Sequence, residues 1–163
     1  MKINFDSLNR TDDEPGIMKS RQFLHGLINE QITAGIPAQR IILGGFSQGG
    51  VMSLFSGLTF TDRLAGVFGL SCYQVMAQKF KQLHEETGSH KPLVFMGHGE
   101  EDPLVRFEWG KMAMEALRSA GFDVNWNTYP DLPHSAAPEE IDALEKWVEA
   151  RLADGRGPTT AST

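Results

Sequence analysis

Ser47 stands between two glycines in Gly45-Phe46-Ser47-Gln48-Gly49, after the apolar run Ile41-Ile42-Leu43 and before the helix-favouring stretch Val51-Met52-Ser53-Leu54-Phe55. A serine at such a strand-to-helix turn sits on a strained backbone with its Oγ clear of its neighbours. Glycines two positions to either side relieve the crowding that the turn creates. The hydroxyl becomes a nucleophile when a base takes its proton and a third group orients that base. Both partners follow in the chain. Asp102 lies in His98-Gly99-Glu100-Glu101-Asp102-Pro103, directly after Leu93-Val94-Phe95-Met96, and His134 lies in Tyr129-Pro130-Asp131-Leu132-Pro133-His134-Ser135, directly after an alternating stretch. The order Ser, Asp, His goes with a nucleophile elbow above a parallel sheet. His134 is expected to take the proton of Ser47, and Asp102 to fix its tautomer and stabilise the imidazolium. Glu100 and Glu101 stand beside Asp102, and spacing alone does not separate the three.

These residues need elements to hold them. Residues 1–11 read as irregular. Thr11-Asp12-Asp13-Glu14 has the spacing of a capping box, with Pro15 in the first turn. Ile17, Phe23, Leu24, Leu27, Ile28 and Ile32 then give one helical stripe, stopped by Gly35 and Pro37. From there strands and helices alternate. The pattern predicts strand 40–44 before helix 48–59, strand 66–71 before a helix near 75–86, strand 93–97 before helix 107–120, and strand 123–129 before helix 138–150. Such alternation implies right-handed crossovers and a mostly parallel sheet flanked by helices. Asp102 and His134 then fall on loops at the carboxyl ends of strands, where open α/β sheets build their sites. One domain is expected over 1–152, and the small polar residues 153–163 are expected to form a disordered tail.

At 163 residues, 40% hydrophobic and 22% charged, the chain is long enough for a real core. No apolar run approaches the length that crosses a bilayer. Met1-Lys2-Ile3-Asn4-Phe5-Asp6 has neither a charged n-region nor an apolar h-region, so no secretory leader is expected in it. The single cysteine, Cys72, excludes an internal disulfide framework and suits a reducing compartment. A formal charge of -6 with no Lys/Arg cluster argues against a nucleic-acid partner. No His/Cys/Asp/Glu cluster has metal-ligand spacing, and no glycine-rich phosphate loop is present, so no metal and no cofactor are expected.

Several longer segments carry a resemblance. Arg40-Ile41-Ile42-Leu43-Gly44-Gly45-Phe46-Ser47-Gln48-Gly49-Gly50 is far more specific than the five-residue elbow. Leu70-Ser71-Cys72-Tyr73, the Asp102 segment through Leu104-Val105, and the His134 segment extend it. In these the chain resembles the acyl-protein thioesterases, in the phospholipase/carboxylesterase branch of the α/β-hydrolases, from about Phe5 to Leu152. The resemblance implies a partial α/β-hydrolase fold and a serine hydrolase that removes fatty acyl groups from S-acylated, palmitoylated cysteines of proteins. A broad carboxylesterase or lysophospholipase is the alternative. Carried over residue by residue, the triad falls on Ser47, Asp102 and His134, which favours Asp102 over its glutamate neighbours. Gln48 would give one backbone N–H to the oxyanion hole. Family members begin with further strands and a Leu-His-Gly-Leu-Gly-Asp-like loop that supplies a second oxyanion N–H, and this sequence begins after them. One missing oxyanion donor costs about 2.7–4 kcal/mol, so the resemblance implies weak turnover for the chain as given, or a catalytically impaired fragment acting as a binding module. The implied partners are S-acylated proteins or lipid esters, with transient contact at a membrane surface. The implied location is the cytoplasm, with the nucleus as a second compartment.

The remaining candidates have structural readings. Phe23-Leu24-His25-Gly26-Leu27 imitates the second oxyanion loop but lies inside a helical stripe with no strand before it, so His25 is read as structural. Cys72 is read as a buried thiol. His98 is read either as orienting the acid loop or as a packing residue. His84 and His90 are read as solvated. Met52, Met76, Met96, Met112 and Met114 are read as core, while Leu54, Leu104 and Val105 could line an acyl site.

Overall fold

The computed structural model describes residues 12–88 and 90–154 of the chain. Residues 1–11, including Thr11 of the expected capping box, and 155–163 of the expected tail lie outside the described residues. Helix α1 (Glu14–Thr33) is followed by a 3-10 turn (Ala38–Arg40), β1 (Ile42–Phe46), α2 (Gln48–Gly57), β2 (Gly66–Leu70) and α3 (Ala77–Glu86). Then come β3 (Leu93–Gly99), α4 (Phe107–Ser119), β4 (Val124–Tyr129) and α5 (Pro138–Asp154). The four strands pair in parallel in the order β1-β2-β3-β4, as the alternation predicts.

Local chemistry sets the boundaries. Asp13 caps α1: its side chain accepts the Gly16 N–H at 3.1 Å, satisfying one of the amides a helix start leaves over. Gly35, at φ 99, turns the chain after α1. Pro37 leads into the 3-10 turn that takes up Arg40, so β1 begins at Ile42 rather than at residue 40. Helix α5 runs past residue 150, so Ala153 and Asp154, read as tail, are helical.

Alternate strand residues face opposite layers. Val67, Val94 and Met96 join the larger core under α2, α3 and α4, and α1 packs on α2. Leu70 and Phe95 join Trp147 of α5 in a smaller core on the other face, with the Phe95 and Trp147 rings 5.8 Å apart. The α1 stripe divides: Ile17 and Ile28 are buried, whereas Phe23 is 66% exposed and Leu27 is also exposed. Phe23 and Leu24 border a groove of about 470 Å³ with Leu43, Gly44, Gly49 and Met52. The stripe was legible as apolar, but periodicity does not say whether a packing partner stands opposite each position.

Candidate active site

Ser47 links β1 to α2 with φ 54 and ψ -123, a conformation that costs a non-glycine residue on the order of 1–3 kcal/mol. Two hydrogen bonds hold it there. Its N–H donates to Leu70 O at 2.8 Å, extending the β1–β2 ladder, and its C=O accepts the Val51 N–H at 3.0 Å. A Cβ at Gly45 would lie 2.5 Å from the Gly49 carbonyl carbon, and one at Gly50 would lie 2.9 Å from Gly45 O. A Cβ at Gly49 meets nothing within 4 Å. The elbow therefore excludes side chains at Gly45 and Gly50. Gly49, expected to share that requirement, opens onto the groove because the first turn of α2 aims it away from the sheet.

The acid and base loops are laced together by backbone. Glu100 N–H donates to Tyr129 O at 3.0 Å and Glu101 N–H to Leu132 O at 3.2 Å. Gly99 permits the approach, since a Cβ there would overlap Leu132 O. Asp102 Oδ1 accepts the N–H groups of Leu104 and Val105, both at 2.9 Å. Its Oδ2 is thereby directed at His134 Nδ1, 2.7 Å away. His134 Nε2 lies 2.9 Å from Ser47 Oγ. A carboxylate only accepts, so Nδ1 carries the proton; Nε2 is left to accept from the Ser47 hydroxyl. Asp102 is 6% exposed, whereas Glu100 and Glu101 face solvent. The structure thus separates three acids that spacing did not. Gln48 is the first residue of α2, which places its amide at the positive end of the helix dipole.

Two further residues touch this arrangement. His98 is fully buried, and its Nε2–H donates to Val105 O at 2.8 Å. Burial pushes its pKa down, so it serves as a neutral donor. Val105 is then held at both ends, its N–H by Asp102 and its C=O by His98, and His98 orients the acid loop. The ring of Phe46 lies 4.7 Å from the His134 imidazole. Phe46 was read only as part of the motif, and its place immediately before the serine, on the strand that presents the elbow, was the available signal.

A profile of the phospholipase/carboxylesterase family matches residues 2–152. The chain belongs to the phospholipase/carboxylesterase family. It is 46% identical over 148 residues to acyl-protein thioesterase 1 of Gibberella zeae, covering 90% of this chain and 63% of that protein. Against acyl-protein thioesterase 1 of Emericella nidulans it is 46% identical over 149 residues, with 90% and 62% covered. The crystal structure of Arabidopsis thaliana SOBER1 superposes with a TM-score of 0.81 at 29% identity, covering 90% of this chain and 69% of that one. Zea mays acyl-protein thioesterase 2 gives a TM-score of 0.76 at 27% identity, with 90% and 69% covered. The chain spans a little over three fifths of the length of the Gibberella and Emericella relatives, and its sheet and helices form the corresponding part of the α/β-hydrolase fold.

Elsewhere in this phospholipase/carboxylesterase chain, the structure sorts the other candidates. His25 lies within α1, with Nε2 bonded to Ser56 O at 2.8 Å and its ring edge-on to Phe60, a structural role as read. Cys72 is buried, and its thiol is pushed up to about 12, chiefly by desolvation. His90 is exposed. His84 is not: it is buried, its Nδ1 is 2.9 Å from Leu58 O, and its ring packs on Phe80 and Phe122. The polar residues around it on α3 hid the i, i+3, i+4 pattern of Phe80, Leu83 and His84. Met52, Met96 and Met114 are core, whereas Met112 is exposed. Leu54 and Val105 are buried, which leaves Leu104 as the exposed one of the three acyl-site candidates. Among the described residues, no helix is long and apolar enough to cross a membrane.

Proposed function

We propose that this chain carries the catalytic centre of a serine hydrolase that removes fatty acyl groups from S-acylated cysteines of proteins. The observation that carries the reading is the continuous hydrogen-bonded line Ser47–His134–Asp102, with links of 2.9 and 2.7 Å. In this mechanism His134 Nε2 takes the Ser47 proton as Oγ attacks the thioester carbonyl, and Asp102 stabilises the imidazolium. The Gln48 amide, at the start of α2, donates to the oxyanion. The tetrahedral intermediate collapses, and the cysteine sulfur leaves with the proton held by His134. Water activated by His134 then cleaves the acyl-Ser47 ester, releasing the fatty acid and regenerating the hydroxyl. Leu104 and Phe46 offer exposed apolar surface beside the site for the acyl chain. The reading places the activity in the cytoplasm and also the nucleus, at S-acylated proteins that the chain meets by transient contact with membrane surfaces.

Oxygen esters and lysophospholipids are the second reading, favoured by the breadth of the family, because the same attack and collapse operate on an oxygen ester. The test is labelling of the purified chain by a fluorophosphonate beside Ser47→Ala, followed by a panel of S-acyl and O-acyl substrates. Labelling that vanishes in Ser47→Ala is expected. Labelling that persists in the variant would remove Ser47 from the mechanism, and a higher kcat/KM for O-acyl than S-acyl substrates would select the second reading.

A further inference from the structure

Two carboxyl groups are buried among the described residues, and their surroundings are opposite in kind. Asp102 accepts two backbone amides and the imidazole. Glu140, in the first turn of α5, is 0% exposed, and neither of its side-chain oxygens makes a hydrogen bond of good geometry, the Ala137 backbone N–H being the one donor near enough to favour its charged form. The carboxyl sits in a notch that β3 leaves at Gly97, where a Cβ would overlap Oε1 and stand 3.1 Å from a Leu70 methyl. Buried polar groups without partners are rare in native proteins and call for a reason.

Glu140 acts on the Cys72 thiol beyond β2 and on the Tyr129 phenol at the end of β4, and Glu139 on its own helix also acts on Tyr129. None of these is a cation. On β3 the neighbour is Gly97, since His98 turns to the opposite layer against Gly110 and Phe107. Burial accordingly pushes the Glu140 carboxyl up to about 7, and below that pH the group rests in its notch as a neutral acid. Its location links the two halves of the site. The Glu140 and Ile141 amides both donate to Ala137 O, so the first turn of α5 continues directly from the loop that carries His134. Gly97 immediately precedes His98, and its carbonyl accepts the Ser71 N–H at 2.8 Å.

We propose that Glu140 is a positioning residue for His134: its uncharged carboxyl, seated over Gly97, docks the first turn of α5 on β3 and so sets how the His134 loop meets Ser47. Ionisation places a charge that only the Ala137 N–H offsets in a buried notch, and the strain is relieved by lifting that turn and slackening residues 130–137. The activity arm of the test rests on the hydrolase reading; the exchange arm does not.

The experiment compares the full chain with Glu140→Gln and Glu140→Met, which keep the volume and remove the ionisation. Fluorophosphonate labelling rates of Ser47 and hydrogen exchange of residues 130–145, corrected for intrinsic exchange, are followed from about pH 6 to about pH 8.5. In the wild-type chain labelling is expected to fall about tenfold or more relative to the variants as pH rises, while exchange in 130–145 accelerates by a similar factor. Both variants should lack the two trends and match wild-type labelling within about twofold at the acid end. Superimposable pH profiles in wild type and variants would overturn the proposal. So would loss of labelling at every pH in both variants with native near-UV circular dichroism, because the carboxyl itself would then be required. If the wild-type chain does not label at any pH, the hydrolase reading fails on its own and the exchange profile alone decides the role of Glu140.

Discussion

On the β3–β4 side of the site, Asp102 and His98 are sealed from solvent, and two backbone hydrogen bonds tie the acid loop to the base loop. On the β1 side the strand lies at one edge of the described sheet, Phe46 is 37% exposed, and Gly44 and Gly49 open onto the groove beside Phe23. His134 is therefore located by packing between segments about thirty residues apart in sequence, whereas Ser47 is located by its own backbone, held at positive φ by neighbours within a few residues and by the Leu70 carbonyl. A site can combine both kinds of control, and the two should fail differently when perturbed.

The largest effect should come from the sealed side. Asp102→Asn keeps the shape but lets the side chain donate to Nδ1, which favours the wrong imidazole tautomer, and a loss of about 10⁴-fold in kcat is expected. Steady-state kinetics checks it, and a loss below about tenfold would break the account of how the base is oriented. Next, Gly45→Ala puts a methyl group against the backbone at Gly49, and overpacking against atoms that cannot rotate away should cost about 3 kcal/mol. Gly49→Ala has open space and helical backbone, so its urea midpoint should hold or rise by the equivalent of about 0.4–1 kcal/mol. Equal shifts for the two glycines would remove the distinction drawn between them.

His98→Phe leaves the Val105 carbonyl buried without its donor, a cost of about 1–3 kcal/mol in stability. Because His98 orients the acid loop through Val105, kcat should fall more than KM rises. Truncating Phe46 to alanine removes the ring packed on His134 and should cost about 0.5–1.5 kcal/mol in kcat/KM. Global stability should change less than for a fully buried ring, because Phe46 is 37% exposed. A separate linkage follows from the raised carboxyl of Glu140. A folded-state pKa near 7 against an ordinary 4.5 contributes stability that is present below pH 4.5 and is lost as pH rises through about 7. Glu140→Gln should therefore gain on the wild-type chain in thermal midpoint across that window, and a constant difference would show that the group does not titrate there.

The alternation of apolar runs and helical stripes was enough to place all four strands, their parallel pairing and the loops bearing Asp102 and His134. Those patterns are local, and the residues that define them carry their signal in type and spacing. The features that escaped depend on what packs opposite. Phe23 and Leu27 have the same apolar character as Ile28 yet are exposed, and His84 sits among lysine and glutamate side chains yet is buried. Glu140 reads in sequence as an ordinary acid favoured by the start of a helix. Its carboxyl turns inward because β3 offers a glycine at the facing position, and no property of Pro138-Glu139-Glu140 announces that.

The lacing of the two loops has a consequence for design. Both links, Glu100 N–H to Tyr129 O and Glu101 N–H to Leu132 O, are made by backbone atoms, while the side chains of Glu100 and Glu101 point into water. The base is thus registered by atoms that every amino acid except proline supplies. Positions 100 and 101 are accordingly open to wholesale replacement with apolar, basic or bulky side chains, a ready palette for retuning which molecular surfaces approach the rim while the register of His134 stays as it is.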